Sequence, residues 1–297
     1  MIKLINTKYN MQTIQLNNGI EMPILGYGVF QVSPEACERC VLDAISVGYR
    51  LIDTAQAYYN EEGVGSAITK CGVPRNDLFI TTKVWISNAG EEKAEKSIDE
   101  SLRKLRTDYI DLLLIHQPFS DYYGTYRAME KAVRAGKVRA IGVSNFYPDR
   151  FVDLAENVEI KPAVNQLRTN VFSQQWDMEK EIGKYGTKIM AWAPIAQANE
   201  ELFNNPVLKG IAENHGKSVT QVALHYLIQR GIIAIPKSTH VERMRQNLEI
   251  FDFELTDAEM QSIRPLDQPQ DFQWSHRNPE LVRFLLEYDK KFNPNNK

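Results

Sequence analysis

Short apolar runs alternate with longer amphipathic segments along most of this 297-residue chain, and this alternation limits the folds that it can adopt. The runs are bounded by polar residues, which is typical of strands buried on both faces of a sheet. They cover residues 24–30, 49–54, 78–83, 109–115, 138–143, 162–167, 188–193 and 232–236. This strand–helix alternation favours a closed parallel (β/α)8 TIM barrel over a doubly wound sheet, although periodicity alone does not prove closure.

Additional elements are predicted before and after the barrel. The segment TIQLNNGIEMP, residues 13–23, alternates around Asn17-Asn18-Gly19, which indicates a β-hairpin that closes the bottom of the barrel. Two extra helices are indicated by capping boxes, in which a Ser or Thr is followed three residues later by Gln or Glu. These boxes lie at Ser218–Gln221 and Thr256–Glu259.

The clearest helix pattern lies in residues 91–105. Apolar side chains there fall on one stripe, with Glu and Lys elsewhere, and the stripe consists of Ala94, Ile98, Leu102 and Leu105. We predict an α/β fold in a single domain over residues 1–297. In this division the barrel spans about 24–255, and the C-terminal segment 256–297 forms a helix and a tail over the barrel.

Composition and charge argue against several classes of protein. The net charge is −3 and the pI is about 6.0, which argues against nucleic acid or a membrane surface as the main partner. No apolar stretch approaches the ~20 residues that a membrane span needs. The first residues also show no secretory signal, so we expect a cytoplasmic protein.

The chain has three cysteines, and two of them, Cys37 and Cys40, form a C-x-x-C pair. One interpretation is a redox or metal site, because a thiol in the first turns of a helix can have a lowered pKa. The alternative is packing, because both cysteines share a helical face with Val41 and Ala44. No second C-x-x-C supplies the remaining ligands of a zinc site, so we favour packing.

Four polar side chains stand where the second, third and fourth predicted strands end: Asp53, Tyr58, Lys83 and His116. The carboxyl ends of neighbouring barrel strands meet, so these side chains can converge. Asp53 would be the counter-ion of Lys83, and an ammonium beside a phenol would lower its pKa from ~10 toward the working range. That phenol could protonate an alkoxide formed from a carbonyl, which His116 would help to orient. Each residue also has a purely structural interpretation, and on composition Tyr59 is as good a candidate as Tyr58.

Blocks of sequence around these positions resemble the signatures of the aldo-keto reductase superfamily. The blocks, in order, are LIDTAQAYYNEEGVG, ITTKVW, LLLIHQP, IGVSNF, NQL and IPKST. The resemblance runs from about residue 12 to about residue 270 and is closest to the prokaryotic 2,5-diketo-gluconate reductases and related aldehyde reductases. It implies an NADPH-dependent oxidoreductase that reduces an aldehyde, ketone or keto-sugar. The family tyrosine lies five residues after the aspartate, which selects Tyr58 as the general acid.

The resemblance also implies a site for NADPH, and no G-x-G-x-x-G motif suggests a Rossmann site instead. The residues implied at the nicotinamide are Ser144, Asn145, Gln166 and Trp192, the last in place of a more common tyrosine. Lys237, Ser238 and Arg243 would hold the 2′-phosphate at a helix N-terminus. Gln246, where many relatives have Glu, and Asn247 would face the adenine.

The substrate pocket implied by the resemblance takes a small carbonyl compound and is lined by Tyr27, Phe30, Trp85 and Gln117, with Trp274 as a weaker candidate. We expect a monomer or a weak oligomer. A second interpretation is a nucleotide-sensing barrel without catalysis. A third, a metal-dependent hydrolase, needs clustered ligands, but the histidines are scattered with no H-x-H, so no metal site is expected.

Overall fold

Parallel strands closed into a barrel form the centre of the computed structural model, which describes residues 2–4, 12–268 and 275–293. The strands are β1 (Ile2–Leu4), β2 (Gln12–Gln15), β3 (Glu21–Pro23), β4 (Tyr27–Gly28), β5 (Leu51–Asp53), β6 (Phe79–Val84), β7 (Ile110–Ile115), β8 (Val138–Ser144), β9 (Val164–Arg168), β10 (Lys188–Trp192) and β11 (Ile233–Ala234). Strands β4 to β11 pair in chain order, each parallel to the next. Leu25, just before β4, forms a parallel bridge with Ala234, and this contact closes the ring. The predicted (β/α)8 barrel is confirmed.

Helices surround this barrel and follow its strands. They are α1 (Pro34–Val47), α2 (Glu61–Lys70), α3 (Glu91–Leu105), α4 (Tyr122–Arg134), α5 (Pro148–Glu156), α6 (Trp176–Gly183), α7 (Glu200–Asn204), α8 (Pro206–His215), α9 (Val219–Gln229), α10 (Val241–Leu248), α11 (Asp257–Ile263), α12 (Pro279–Leu286) and α13 (Tyr288–Phe292). The stripe over 91–105 forms α3, and both predicted capping boxes are present, at the start of α9 and α11. Beyond these two extra helices, the structure adds α7 and α13, which at five residues are too short for a helical period.

The core has two layers because successive strand residues point to opposite faces of the sheet. In β7, Leu112 and Leu114 point into the barrel, whereas Leu113 and Ile115 pack against the surrounding helices. Every residue of β7 is therefore buried, as the continuous apolar run predicts.

The predicted hairpin closes the bottom of the barrel. Strands β2 and β3 are antiparallel, and Ile14 and Met22 belong to the same apolar cluster as the side chains inside the barrel. Gly19 in the turn has φ +84°, a conformation that glycine adopts without strain. The Asn17 and Asn18 amides donate to backbone carbonyls at the barrel base, over 3.1 Å each. Strand β1, which pairs with β2, was not predicted.

The two cysteines of the C-x-x-C pair are buried on α1, so the packing interpretation fits their surroundings. Burial raises the pKa of the Cys37 thiol to about 12, which is the opposite of a reactive thiolate. Across the described ranges, no group of three or more His, Cys, Asp or Glu side chains is arranged to hold a metal ion. None of the helices in those ranges is both long enough and apolar enough to span a bilayer.

The C-terminal segment, residues 275–293, lies against the carboxyl end of the barrel. The Tyr59 hydroxyl donates to Asp289 Oδ1 over 2.6 Å, and the Tyr288 ring contacts Trp85 with centroids 5.4 Å apart. The His276 amide donates to the Tyr147 hydroxyl over 3.3 Å. Helices α12 and α13 therefore cover part of the barrel end from which the predicted site residues project.

Candidate active site

Asp53 and Lys83 form a buried ion pair at the carboxyl end of the barrel. Asp53 is the last residue of β5 and Lys83 the fifth of β6, so the parallel pairing of these strands brings the two side chains together. Lys83 Nζ donates to Asp53 Oδ1 over 2.6 Å and to the Thr54 carbonyl over 2.8 Å. Gln166 Nε2 donates to the second carboxylate oxygen over 2.8 Å. These contacts hold the Lys83 ammonium in a position where it can interact with a neighbouring side chain.

That neighbour is Tyr58, in the 3-10 turn that follows β5. Lys83 Nζ lies 3.4 Å from the Tyr58 hydroxyl and 4.9 Å from its ring centroid. Tyr59 points elsewhere and bonds to Asp289. The structure therefore brings Tyr58, and not Tyr59, to the lysine.

His116 completes the cluster. It follows β7, and its ring lies 5.5 Å from the Tyr58 ring and 4.9 Å from the Trp85 ring, each in an edge-on arrangement. Its Nδ1 is buried with no hydrogen-bond partner among the described residues. An unpaired ring nitrogen buried in this way costs free energy.

Burial and the ion pair act in opposite directions on Asp53 and Lys83. Burial raises the pKa of the Asp53 carboxyl and lowers the pKa of the Lys83 ammonium. Their mutual attraction opposes both shifts, because each charge stabilises the other. Removing either partner would leave an uncompensated charge inside the barrel, which is strongly destabilising.

The predicted lowering of the Tyr58 pKa is wrong. Burial raises the pKa of Tyr58 well above its ordinary value, and the nearby Asp53 carboxylate adds to the increase. Lys83 does not reverse this effect because its charge is already paired with Asp53 at close range. Tyr58 is consequently a neutral phenol that keeps its proton across the physiological pH range.

His116 is also neutral. Burial lowers the pKa of His116 well below its ordinary value, and the Lys83 ammonium and His276 act in the same direction. A neutral imidazole beside a neutral phenol can donate a hydrogen bond without competing for the proton of that phenol.

The residues predicted to contact nicotinamide form a connected wall beside this cluster. Asn145, which follows β8 at φ 63°, donates to the Ser144 hydroxyl over 3.0 Å and to the His116 carbonyl over 3.2 Å. The Trp192 indole N–H donates to Asn145 Oδ1 over 2.9 Å, and Ser144 Oγ donates to the Gln166 carbonyl over 3.0 Å. The hydrogen bond to Asn145 holds the half-buried Trp192 indole in place.

The residues predicted at the phosphate and adenine lie between β11 and the end of α10. Lys237, Arg243 and Gln246 are exposed, whereas Ser238 and Asn247 are buried. Among the described residues, neither Lys237 nor Arg243 forms an ion pair. The helix itself starts without a side-chain cap at His240, so its first amides have no side-chain acceptor. Positively charged side chains and uncapped backbone N–H groups therefore lie together at the N-terminus of α10.

Three of the four residues predicted for the substrate pocket border the cluster. Phe30 is 46% exposed and its ring lies 5.0 Å from the Tyr58 ring, Trp85 contacts His116, and Gln117 accepts a 3.3 Å bond from Asn145.

Tyr27 is not brought to this pocket. It is only 1% exposed, and its hydroxyl donates to the Ser238 carbonyl over 2.6 Å. It ties β4 to the loop after β11, because a buried phenol needs a polar partner. Trp274 lies outside the described residues.

Two residues near the site were missed by the sequence reasoning, Tyr288 and His276. Tyr288 contacts Trp85 and contributes to the raised pKa of Tyr58, and His276 contributes to the lowered pKa of His116. The sequence signal nearest to them is the amphipathic pattern of α12, which predicts a helix but not the surface that it covers.

Comparisons with known proteins identify the family of the chain. A family model described as the aldo/keto reductase family matches residues 24–268. The glyoxal reductase of Bacillus subtilis is 45% identical over 261 residues, covering 87% of this chain and 94% of that protein. The morphine 6-dehydrogenase of Pseudomonas putida is 41% identical over 268 residues, covering 86% and 90%.

Solved structures of aldo/keto reductases superpose closely on this chain. An aldo/keto reductase from Brucella melitensis superposes with a TM-score of 0.84 at 42% identity, covering 86% of this chain and all of the other. A Bombyx mori aldo-keto reductase in complex with NADP superposes with a TM-score of 0.83 at 34% identity, covering 90% and 98%. The chain belongs to the aldo/keto reductase family and is a nicotinamide-dependent oxidoreductase.

Proposed function

We propose that this protein uses NADPH to reduce the carbonyl group of an aldehyde, ketone or keto-sugar, with Tyr58 as the proton donor. The observation that carries the proposal is the position of Lys83 Nζ, which lies 2.6 Å from Asp53 Oδ1 and 3.4 Å from the Tyr58 hydroxyl. A buried lysine between a carboxylate and a phenol stabilises the phenolate that remains after proton transfer.

The residues present fit NADPH. Trp192, fixed by Asn145, offers a flat face for the nicotinamide, and the Gln166 side chain, already bonded to Asp53, lies alongside. Lys237 and Arg243 are exposed basic side chains at the start of α10, and they suit the additional phosphate of NADPH. When bound, NADPH supplies the hydride, and the protein orients the reactants and moves the proton.

Tyr58 holds the proton that the product alcohol needs. Its raised pKa keeps the hydroxyl protonated before reaction. Proton transfer from Tyr58 Oη to the developing alkoxide gives the product alcohol and leaves a phenolate, whose charge the neighbouring Lys83 ammonium stabilises. A general acid in this position is worth about a hundred- to ten-thousand-fold in rate.

His116 orients the carbonyl. Its neutral ring can donate one hydrogen bond to the carbonyl oxygen and so favour the geometry of the transition state. Trp85 and Phe30 border the same space with aromatic faces, while Gln117 adds a polar edge. This mixture suits a small carbonyl compound with both apolar and polar parts.

We further propose that the chain acts as one domain over residues 1–297, as a monomer or a weak oligomer in the cytoplasm. In support, the C-terminal segment packs on the same barrel that carries the proposed catalytic residues. The free cysteines suit a reducing compartment.

Steady-state rates test the proposed function. Wild type, Tyr58→Phe and the matched control Tyr59→Phe are assayed with glyoxal and a panel of aldehydes, ketones and keto-sugars, with NADPH and with NADH. We expect NADPH-dependent reduction in wild type and in Tyr59→Phe, and a large loss in Tyr58→Phe. Tight NADPH binding without turnover on any carbonyl would instead support a nucleotide sensor.

A further inference from the structure

The Gln56 side chain links separate segments of the chain beside the candidate active site. Its Oε1 accepts the backbone N–H of Trp85 and the side-chain amide of Asn88, each over 2.9 Å. Its Nε2 donates to Ser101 Oγ over 3.1 Å and to the Ser97 carbonyl over 3.3 Å. One amide therefore uses both of its acceptor positions and both of its donors, and it joins the loop after β6 to helix α3. We call these four hydrogen bonds the Gln56 bridge.

The orientation of the Gln56 amide is set by its partners. The Trp85 backbone N–H can only donate and the Ser97 carbonyl can only accept, so turning the amide by 180° would break both contacts. A glutamate of the same length keeps the acceptor but has no donor when it is ionised, and methionine offers neither group in a strong form. The complete bridge therefore depends on a glutamine at this position.

The bridge connects the segments that carry Tyr58 and Lys83. Gln56 and Tyr58 are the first and last residues of one 3-10 turn after β5. Lys83 lies two residues before Trp85, near the end of β6. The hydrogen bond from the Trp85 amide to Gln56 therefore ties the turn that carries the phenol to the segment that carries the ammonium. The 3.4 Å distance between Lys83 Nζ and the Tyr58 hydroxyl depends on the relative position of these two segments.

The bridge also fixes the backbone of Trp85, which borders the proposed substrate pocket. Strand β6 ends at Val84, and the Trp85 N–H donates to Gln56 instead of to a neighbouring strand. The buried Trp85 ring lies edge-on to the rings of His116 and Tyr288, with centroids 4.9 Å and 5.4 Å apart. The position of Gln56 therefore affects the surface against which His116 packs.

Removing the bridge would leave buried polar groups without partners. Trp85, Ser97 and Ser101 are all buried. A buried N–H that loses its acceptor costs free energy, so the Trp85 loop would shift until water or another acceptor reached this N–H. The consequence of losing Gln56 is therefore a displaced loop at the site, and not only a less stable fold.

We infer that Gln56 is a positioning residue for carbonyl reduction, which holds the Tyr58 turn and the Trp85 loop in a fixed relative position. The inference rests on the proposed function. Gln56 acts through Tyr58 and Trp85 and not by contact with the reacting atoms. Its effect falls on the reduction step and not on the affinity for NADPH, because the proposed cofactor contacts lie on the strands from β8 onward and on α10.

The first test compares the single-turnover rate of reduction of an accepted aldehyde, and the Kd for NADPH, in wild type, Gln56→Met and Gln56→Glu. Gln229→Met is the matched control, because the Gln229 amide on α9 exchanges two hydrogen bonds with the backbone of Leu255. We expect Gln56→Met to lower the rate roughly ten- to a hundredfold with a nearly unchanged Kd, because a small misplacement of reacting groups is costly. Gln56→Glu keeps the acceptor for the Trp85 N–H and should retain more of the rate. Gln229→Met should reduce the aldehyde at the wild-type rate.

The second test is amide hydrogen exchange at Trp85, which needs no substrate. Exchange should be about tenfold faster in Gln56→Met than in wild type, the effect of one lost hydrogen bond. It should stay near the wild-type rate in Gln56→Glu and Gln229→Met. Unchanged exchange in Gln56→Met would overturn the bridge, and faster exchange with an unchanged reduction rate would overturn the positioning role.

The control also distinguishes positioning from general destabilisation. An equal loss of rate in Gln229→Met would overturn the inference, because any lost side-chain hydrogen bond would then have the same effect. A wild type that reduces no carbonyl would contradict the proposed function. An active wild type with an unaffected rate in Gln56→Met would contradict only the role of Gln56.

Discussion

Replacing Arg243 with Ala should weaken NADPH binding and leave NADH binding nearly unchanged. Arg243 lies in the first turn of α10, is exposed and forms no ion pair in the described structure, so its guanidinium is free for the extra phosphate of NADPH. Charged hydrogen bonds contribute roughly 1.5–3 kcal/mol each. Solvent exposure screens the interaction, so we take the lower part of this range and expect about a ten- to thirtyfold increase in Kd.

The assay is a fluorescence titration of both cofactors into wild type, Arg243→Ala and Arg245→Ala. Arg245 is an exposed arginine on the same helix and controls for a change in net charge. The NADPH preference should also shrink as salt is raised, because the site is exposed. Equal losses for NADPH and NADH in Arg243→Ala would refute the reasoning, since the side chain would then support the helix or the adenine end and not the phosphate.

Three other properties can be tested separately. Trp192→Ala should weaken NADPH binding by about 0.5–1.5 kcal/mol through the lost stacking face, and an unchanged Kd in a folded variant would contradict the stacking role. Tyr59→Phe removes the 2.6 Å bond to Asp289 and should speed proteolysis within residues 275–293, whereas wild-type cleavage rates would show that this bond does not hold α13. Burial lowers the pKa of His276 from 6.5 to about 4, so the unfolded chain takes up a proton in this window that the folded chain does not. Stability should therefore fall as the pH drops from 6.5 to 4, and urea titrations should show His276→Gln reducing that loss by about 1.4 kcal/mol per pH unit. Parallel slopes for the two proteins would contradict this assignment.

Much of the fold could be predicted from the sequence because its signals are local. The stripe over 91–105 sets α3, the capping residues set the starts of α9 and α11, and Asn17-Asn18-Gly19 sets the hairpin turn. The alternation favoured closure but did not prove it, because the contact that closes the ring pairs Leu25 with Ala234, more than two hundred residues apart along the chain.

For the candidate site, the convergence of the residues could be predicted from the sequence, but their electrostatics could not. Asp53, Tyr58, Lys83 and His116 come together because each lies at or just beyond the carboxyl end of a strand, and strand order can be inferred from the sequence. The direction of the Tyr58 pKa shift could not be, because it depends on how much water the folded chain excludes.

The C-terminal segment could not be placed from its pattern either. Amphipathicity predicts that α12 has an apolar face, but not that Tyr288 lies against Trp85 over the barrel. Likewise, nothing in the sequence shows that the Tyr27 hydroxyl donates a hydrogen bond to the Ser238 carbonyl. Both outcomes depend on contacts between distant parts of the chain.

The central claim is that Tyr58 donates the proton during carbonyl reduction, and the most direct test is single-turnover reduction by Tyr58→Phe. The substitution removes one hydroxyl and little packing, so NADPH should bind with nearly wild-type affinity. Tyr59→Phe is the matched control, because it removes the neighbouring hydroxyl, which bonds to Asp289. We predict that Tyr58→Phe slows the reduction of an accepted aldehyde about a hundred- to ten-thousand-fold, whereas Tyr59→Phe retains most of the rate. Near wild-type reduction by Tyr58→Phe, with NADPH bound, would contradict the account.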